Sequence, residues 1–213
     1  MERWRRVPDR FRHAGIQRVT LIAARHAVLT GAPGAGKTTL LDAAAAAGLR
    51  TSPEVARELV KSPGGMALRV DDPLGFAEAM LEAHAREFER HAGAPGPVVF
   101  DRGFPDVVGF LDVSGRAVPK AIDRVCRELR YRGPILRAPA WAAIYVQDAE
   151  RIQDWEQAVA SDEAVTAAWK RYGYDVTELP LAGVKVRLEF LENFFKPPVA
   201  SGRKRQRAPD FKA

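Results

Sequence analysis

The strongest chemical signal in this chain is the run Gly31, Ala32, Pro33, Gly34, Ala35, Gly36, Lys37 and Thr38, which places glycine, lysine and a hydroxyl at every fixed position of G-x-x-x-x-G-K-[ST]. Residues of these types at this spacing hold the phosphates of a nucleoside triphosphate. Glycine at 31, 34 and 36 lets the backbone turn successive N–H groups inward, making a concave anion site at the positive end of the following helix. Lys37 supplies a mobile cation for the β- and γ-phosphates, and the Thr38 hydroxyl stands where a bridging Mg²⁺ is held. Pro33 stiffens the loop, and Thr39 carries it into the helix. The expected cofactors are therefore ATP and Mg²⁺.

Such a loop works only between a strand and a helix. Ala27 to Thr30 supplies the apolar strand, and Leu40, Leu41 and the alanines 43–47 supply a helix whose small side chains allow close packing on a sheet. Further strand-like runs are Leu49 to Ser52, Pro97 to Phe100, Trp141 to Val146 and Tyr174 to Leu179. Helical patterns separate them, which predicts a three-layer α/β architecture: a mostly parallel five-stranded sheet with helices on both faces. Phe76, Met80, His84 and Phe88 recur at four-residue spacing and predict one long amphipathic helix, with Glu78, Glu82, Glu87 and Glu89 on its other faces. His84 is expected to be packed or half-buried there. Pro119 opens another helix with Ile122, Cys126 and Leu129 inward, so Cys126 is expected to be buried and inert. A last helix is expected from about 182 to 195.

In open α/β sheets, ligands bind at the carboxyl ends of the strands, and two carboxylates qualify. The apolar strand ending in Asp101 places that acid near Mg²⁺ or its waters. Glu54 follows the short second strand, where it either accepts a proton from a substrate hydroxyl or caps the next helix. Arg57, one turn on, either pairs with Glu54 or reaches a substrate phosphate. Arg102 follows Asp101 directly, at the position where motor ATPases carry a water-polarising glutamate. An arginine there suits an anion on the acceptor side, which favours phosphoryl transfer to a bound small molecule over mechanical work.

The charge distribution narrows the partners. The 213-residue chain carries 33 Lys and Arg against 27 Asp and Glu, a formal +6. The excess is terminal: residues 1–26 carry seven arginines against two acids, and 196–213 carry six basic side chains against one acid. The remainder is mildly acidic, which argues against a nucleic-acid surface on the core, although Arg124, Arg127 and Arg130 fall at three-residue spacing. The expected organisation is a basic extension over 1–25, one domain over 26–195 and a basic tail over 196–213. No apolar run reaches membrane-spanning length and the N-terminus lacks a signal-peptide block, so a cytoplasmic location is expected. Oligomeric state is not legible.

Taken together, GAPGAGKTTL, PEVARE at 53–58, VVFDRG at 98–103, PAWAAIYVQDAER at 139–151 and GYDVTELP at 173–180 resemble a small P-loop group of AAA-domain ATPases. That group includes the ribosylnicotinamide kinase domain of NadR and is more distantly similar to deoxynucleoside and thymidylate kinases. The resemblance implies a P-loop NTPase fold with Asp101 and Arg102 at the third strand, Glu54 facing an acceptor, and a lid after the fourth strand. Arg151 would then close over the transferring phosphate, or else pair on the surface with Asp148 or Glu150, and Leu179-Pro180-Leu181 would lie near the adenine. The expected function is an Mg²⁺-dependent phosphotransferase acting on a nucleoside-like or other small hydroxyl acceptor. An ATP-dependent switch around Lys61 to Arg69, or an ATPase acting on a protein partner, stands as the alternative.

Overall fold

Alternation along one short strand sets the layers. In β1 (His26–Gly31), Val28 points into one apolar cluster while Ala27 and Leu29 point into another, and all six residues are buried. A strand buried on both faces belongs in the middle of a helix-covered sheet. The structure, a computed structural model, describes residues 26–145 and 154–196. Among these, five strands pair wholly in parallel in the order β2-β3-β1-β4-β5, where β2 is Arg50–Ser52, β3 Val98–Asp101, β4 Ile135–Ala138 and β5 Val176–Glu178. The sheet is thus all parallel rather than mostly so.

Eight α-helices among the described residues cover it. Helices α1 (Lys37–Ala46) and α8 (Val184–Asn193) pack together on the face of Leu29, Val99 and Leu136. The other face carries α4 (Pro73–His91), α5 (Phe104–Val113), α6 (Lys120–Glu128) and α7 (Trp155–Arg171). Two short helices, α2 (Val55–Lys61) and α3 (Gly65–Asp71), lie against α4. The segment between Lys61 and Arg69, expected as a loop in the switch alternative, is therefore a turn followed by most of α3.

The elements start where their chemistry dictates. Asp72 caps α4, its Oδ1 accepting from the Gly75 N–H at 2.9 Å, and Pro73 fits the first turn because its missing N–H would be unpaired there anyway. Asp154 and Gln157 exchange side-chain bonds across the start of α7 as a capping box. Helices α5 and α7 approach closely because residue 109 is glycine: a Cβ there would stand 2.7 Å from the Val165 Cα. Between them lies Trp169, fully buried against Tyr131 and Tyr174.

Two sequence expectations are corrected. The fourth strand is Ile135–Ala138, not Trp141 to Val146; residues Ala142–Ile144 form a 3₁₀ turn, and Val146 lies outside the described residues. A strand of four residues between Pro134 and Pro139, with a charge at Arg137, gives a weak pattern. The charge is tolerated because the Arg137 guanidinium donates to both carboxylate oxygens of Asp162 (2.9 and 2.7 Å) and to Glu178 at 2.6 Å. Likewise Glu87 is not on an outer face of α4. It is buried, accepting from Ser52 Oγ at 3.3 Å and pairing with Arg90. Cys126 is buried as expected, and burial pushes its thiol up to about 12, leaving almost no thiolate at neutral pH.

Candidate active site

The loop after β1 has the shape its composition dictates. Gly36 takes φ 78° as it enters α1, and Gly31 takes φ 107° in a place so tight that a Cβ would meet the Ala138 carbonyl oxygen at 2.3 Å. Ala32 and Ala35 are buried behind the loop, while Pro33, Gly34, Gly36, Lys37, Thr38 and Thr39 line a cleft of about 1270 Å³. Lys37 is buried. Its Nζ donates to the carbonyl oxygens of Ala32 (2.6 Å) and Gly31 (3.4 Å), and burial followed by repulsion from Arg102 lowers its pKa.

Asp101 ends β3, 2% exposed and within electrostatic reach of Lys37, Arg102 and Glu54, but it is not one of the residues that line the cleft. Its Oδ1 has no hydrogen-bond partner. Burial and then the Glu54 carboxylate push its pKa up, with Lys37 and Arg102 opposing. A buried carboxylate oxygen without a donor fits a hard divalent cation, which prefers oxygen ligands.

Arg102 connects the two sides of the cleft. It alone among the described non-glycine residues has a left-handed backbone, φ 66°, a conformation that costs free energy unless the surroundings hold it. Three partners do so: its Nε donates to Glu54 (3.2 Å), and its Nη1 donates to Asp106 (3.0 Å) and to the Gly31 carbonyl (3.2 Å). The guanidinium is well sheltered, and although burial works against its charge, Glu54 and Asp106 raise its pKa overall. Glu54 is held ionised the same way: burial opposes the charge, but Arg102 and Lys37 lower its pKa. Glu54 stands at the N-terminus of α2 without a side-chain capping bond, so it faces the site rather than the helix.

Sequence reasoning missed Asp106, at the hub of this arrangement. It accepts from Thr30 Oγ1 (2.7 Å), Arg102 Nη1, the Gly103 N–H (3.0 Å) and Trp169 Nε1 (2.9 Å). Its signal was an aspartate among buried apolar residues at the third position of α5. Arg187 was missed as well. It is buried, donates to the Ala35 (2.6 Å) and Pro180 (2.8 Å) carbonyls and lies 5.0 Å over the Trp141 ring, bracing the loop from α8. Leu179, expected near an adenine, belongs to the core, whereas Ala182, Gly183 and Val184 line the cleft. Arg151, Asp148 and Glu150 lie outside the described residues.

Phe76, Met80, Val107 and Phe110 also line this cleft, with His84 among them. His84 is 3% exposed, and among the described residues no hydrogen bond reaches its ring. Burial lowers its pKa to about 4, with Asp106 only partly opposing. The group is neutral when folded yet titrates near 6.5 when unfolded, so the unfolded chain binds the extra proton and stability falls as pH drops from about 6.5 toward 4. The cost is about 3 kcal/mol by pH 4. We expect the melting temperature of the parent to fall more steeply between pH 7 and pH 4.5 than that of His84→Leu, measured side by side by calorimetry.

Comparison with known proteins agrees with this geometry. The AAA domain family model matches residues 26–187. The chain belongs to that family. No curated protein sequence matches it. Among solved structures, deoxyadenosine kinase from M. mycoides with bound dATP is similar at TM-score 0.60 and 15% identity, covering 79% of this chain and 97% of that one. NadR protein in complex with NR is similar at TM-score 0.58 and 18% identity, over 81% of this chain and 50% of that one. Thymidylate kinase from Candida albicans is similar at TM-score 0.56 and 9% identity, over 80% of this chain and 90% of that one. This AAA-domain chain therefore has the P-loop fold that those kinases share. No helix among its described residues is long and apolar enough to cross a membrane.

Proposed function

We propose that this protein is an Mg²⁺-dependent phosphotransferase that moves the γ-phosphoryl group of ATP to a hydroxyl of a small, nucleoside-like acceptor. The observation that carries this reading is the apolar and aromatic part of the cleft's lining. A cleft that served ATP hydrolysis alone needs room for water beyond the loop, whereas this one holds an ionised Glu54 and is lined also by Phe76, Met80, Val107 and Phe110. Glu54 and Arg102 line the same cleft.

The loop N–H groups and Lys37 hold the donor phosphates, and Arg187 keeps the loop in shape by bonding the Ala35 carbonyl. Thr38 and Asp101 would hold Mg²⁺, which supplies charge neutralisation and alignment of the β- and γ-phosphates. Among the described residues no group of three His, Cys, Asp or Glu is placed to bind a metal unaided, so the remaining ligands of such an ion come from the nucleotide and water. Glu54, kept ionised by Arg102, takes the proton of the acceptor hydroxyl as its oxygen attacks the γ-phosphorus. The bond from that phosphorus to the bridging oxygen breaks, and ADP leaves with the electron pair. Arg102, fixed by Asp106, steadies Glu54 and faces the charge that builds on the transferring group. Arg151, which follows the 3₁₀ turn in sequence, belongs to this proposal as a lid residue.

Hydroxyl recognition beside a carboxylate is tested by a co-crystal structure with a non-hydrolysable ATP analogue, Mg²⁺ and a mixture of nucleosides and polyols. Triphosphate in the loop and a ring with a hydroxyl next to Glu54 are expected. An ordered analogue in a cleft that otherwise holds only water for every compound would count against the proposal.

A further inference from the structure

We propose that His84 selects the acceptor: an uncharged planar heterocycle, such as the base of a nucleoside, lies against the apolar part of the cleft and hydrogen-bonds the His84 imidazole. This rests on the acceptor-transfer reading above and names what recognises the part of the acceptor that does not react. Helix α4 brings Phe76, Met80 and His84 to the cleft at four-residue spacing, and α5 adds Val107 and Phe110. The Phe76 and Phe110 rings, with centroids 5.3 Å apart, join the two helices. Apolar walls of this kind hold a flat ring but say little about which ring it is, and a polar group set among them fixes orientation and identity. His84 is the one polar side chain that α4 contributes to the lining.

The imidazole is arranged for a ligand and not for the protein. Among the described residues neither a hydrogen bond nor an ion pair reaches it, and its ring contact with Phe104 is edge-on, 6.3 Å between centroids, which leaves the nitrogens unused. His26, the other buried histidine among the described residues, has both ring nitrogens sealed off without a partner; those of His84 are not sealed, and His84 lines the cleft. Burial keeps the His84 ring neutral, so it presents one N–H donor and one bare acceptor nitrogen. That pair matches the donor and acceptor edges of a nucleobase. A polar ring that has given up water without gaining a partner is stabilised when a ligand supplies one. Glu54, Arg102 and Asp106 are within electrostatic reach of His84, so a molecule held by the imidazole is near the carboxylate proposed to take the hydroxyl proton.

The test uses the full chain saturated with Mg²⁺ and a non-hydrolysable ATP analogue, titrated by calorimetry with adenosine, guanosine, cytidine and uridine, and with a phenyl C-riboside, which keeps the sugar and a flat ring but has no polar ring atom. At least one nucleoside is expected to bind about 10- to 100-fold more tightly than the phenyl riboside. His84→Leu should erase that preference while changing affinity for the ATP analogue less than about twofold, and His84→Gln, which keeps a donor and an acceptor, should retain part of it. A phenyl riboside that binds as tightly as every nucleoside, binding of none of these compounds, or a preference that survives unchanged in His84→Leu overturns the proposal. Where the leucine variant also loses the ATP analogue, His84→Gln decides alone: a preference that it neither lowers nor reorders among the bases overturns the proposal. Failure of the transfer reading shows separately: nucleosides bind with the preference stated and lose it in His84→Leu, yet none becomes a product when ATP replaces the analogue.

Discussion

Replacing Lys37 with alanine is expected to reduce phosphoryl transfer by about 10³-fold while leaving the folded protein intact. The loss follows from position. Lys37 is the single side chain that the loop sequence aims at the β- and γ-phosphates, and in the structure its ammonium rests on the loop's own Ala32 and Gly31 carbonyls, from which it can turn to a bound triphosphate. The modest structural effect follows from its surroundings. Burial and Arg102 both disfavour its charge, so a neutral residue removes an unfavourable term as well as two hydrogen bonds to backbone. Steady-state rates with a fixed acceptor, together with thermal unfolding of the same preparation, check both parts. Activity within tenfold of the parent would remove the loop from the chemistry.

Asp106→Ala is expected to cost about 3–5 kcal/mol of stability, the largest effect of any single substitution in the site that leaves the nucleotide loop untouched. Four donors from four different places converge on this carboxylate: the Thr30 hydroxyl of β1, the Arg102 guanidinium, the Gly103 N–H at the start of α5 and the indole of Trp169 on α7. Removing it leaves those donors buried without acceptors and leaves Arg102 with Glu54 as its remaining carboxylate partner. Asp106→Asn, with one acceptor oxygen, should fall between the two. Urea unfolding measures the difference directly. A change below about 1 kcal/mol would mean that the network around Arg102 is not what fixes its left-handed backbone.

These two residues also mark what the amino-acid sequence makes legible. Lys37 was identifiable because phosphate binding is a local problem: glycine dihedrals, N–H groups and one lysine all fall within eight consecutive residues. The position of Asp101 was legible for a related reason, since an apolar run followed by an acid predicts a strand end and β3 does end there. Asp106 was not, because its meaning comes from Thr30 and Trp169, 76 and 63 residues away. The fourth strand was misplaced on the same account. Arg137 made it look polar, and its compensation by Asp162 and Glu178 comes from 25 and 41 residues downstream. Arg102 was expected to grip an acceptor directly. The structure instead locks it to Glu54, Asp106 and Gly31, which makes it the brace of the site.

The central claim is that the γ-phosphoryl group goes to a bound acceptor and not to water. Phosphorus NMR of the protein with Mg·ATP follows that group wherever it goes, first alone and then with a mixture of nucleosides, nucleoside monophosphates and sugar phosphates. The account predicts negligible change without acceptor, and with it a new phosphorylated resonance growing in step with ADP. Rapid formation of inorganic phosphate at the same rate in both samples, with no new phosphorylated species, would contradict it.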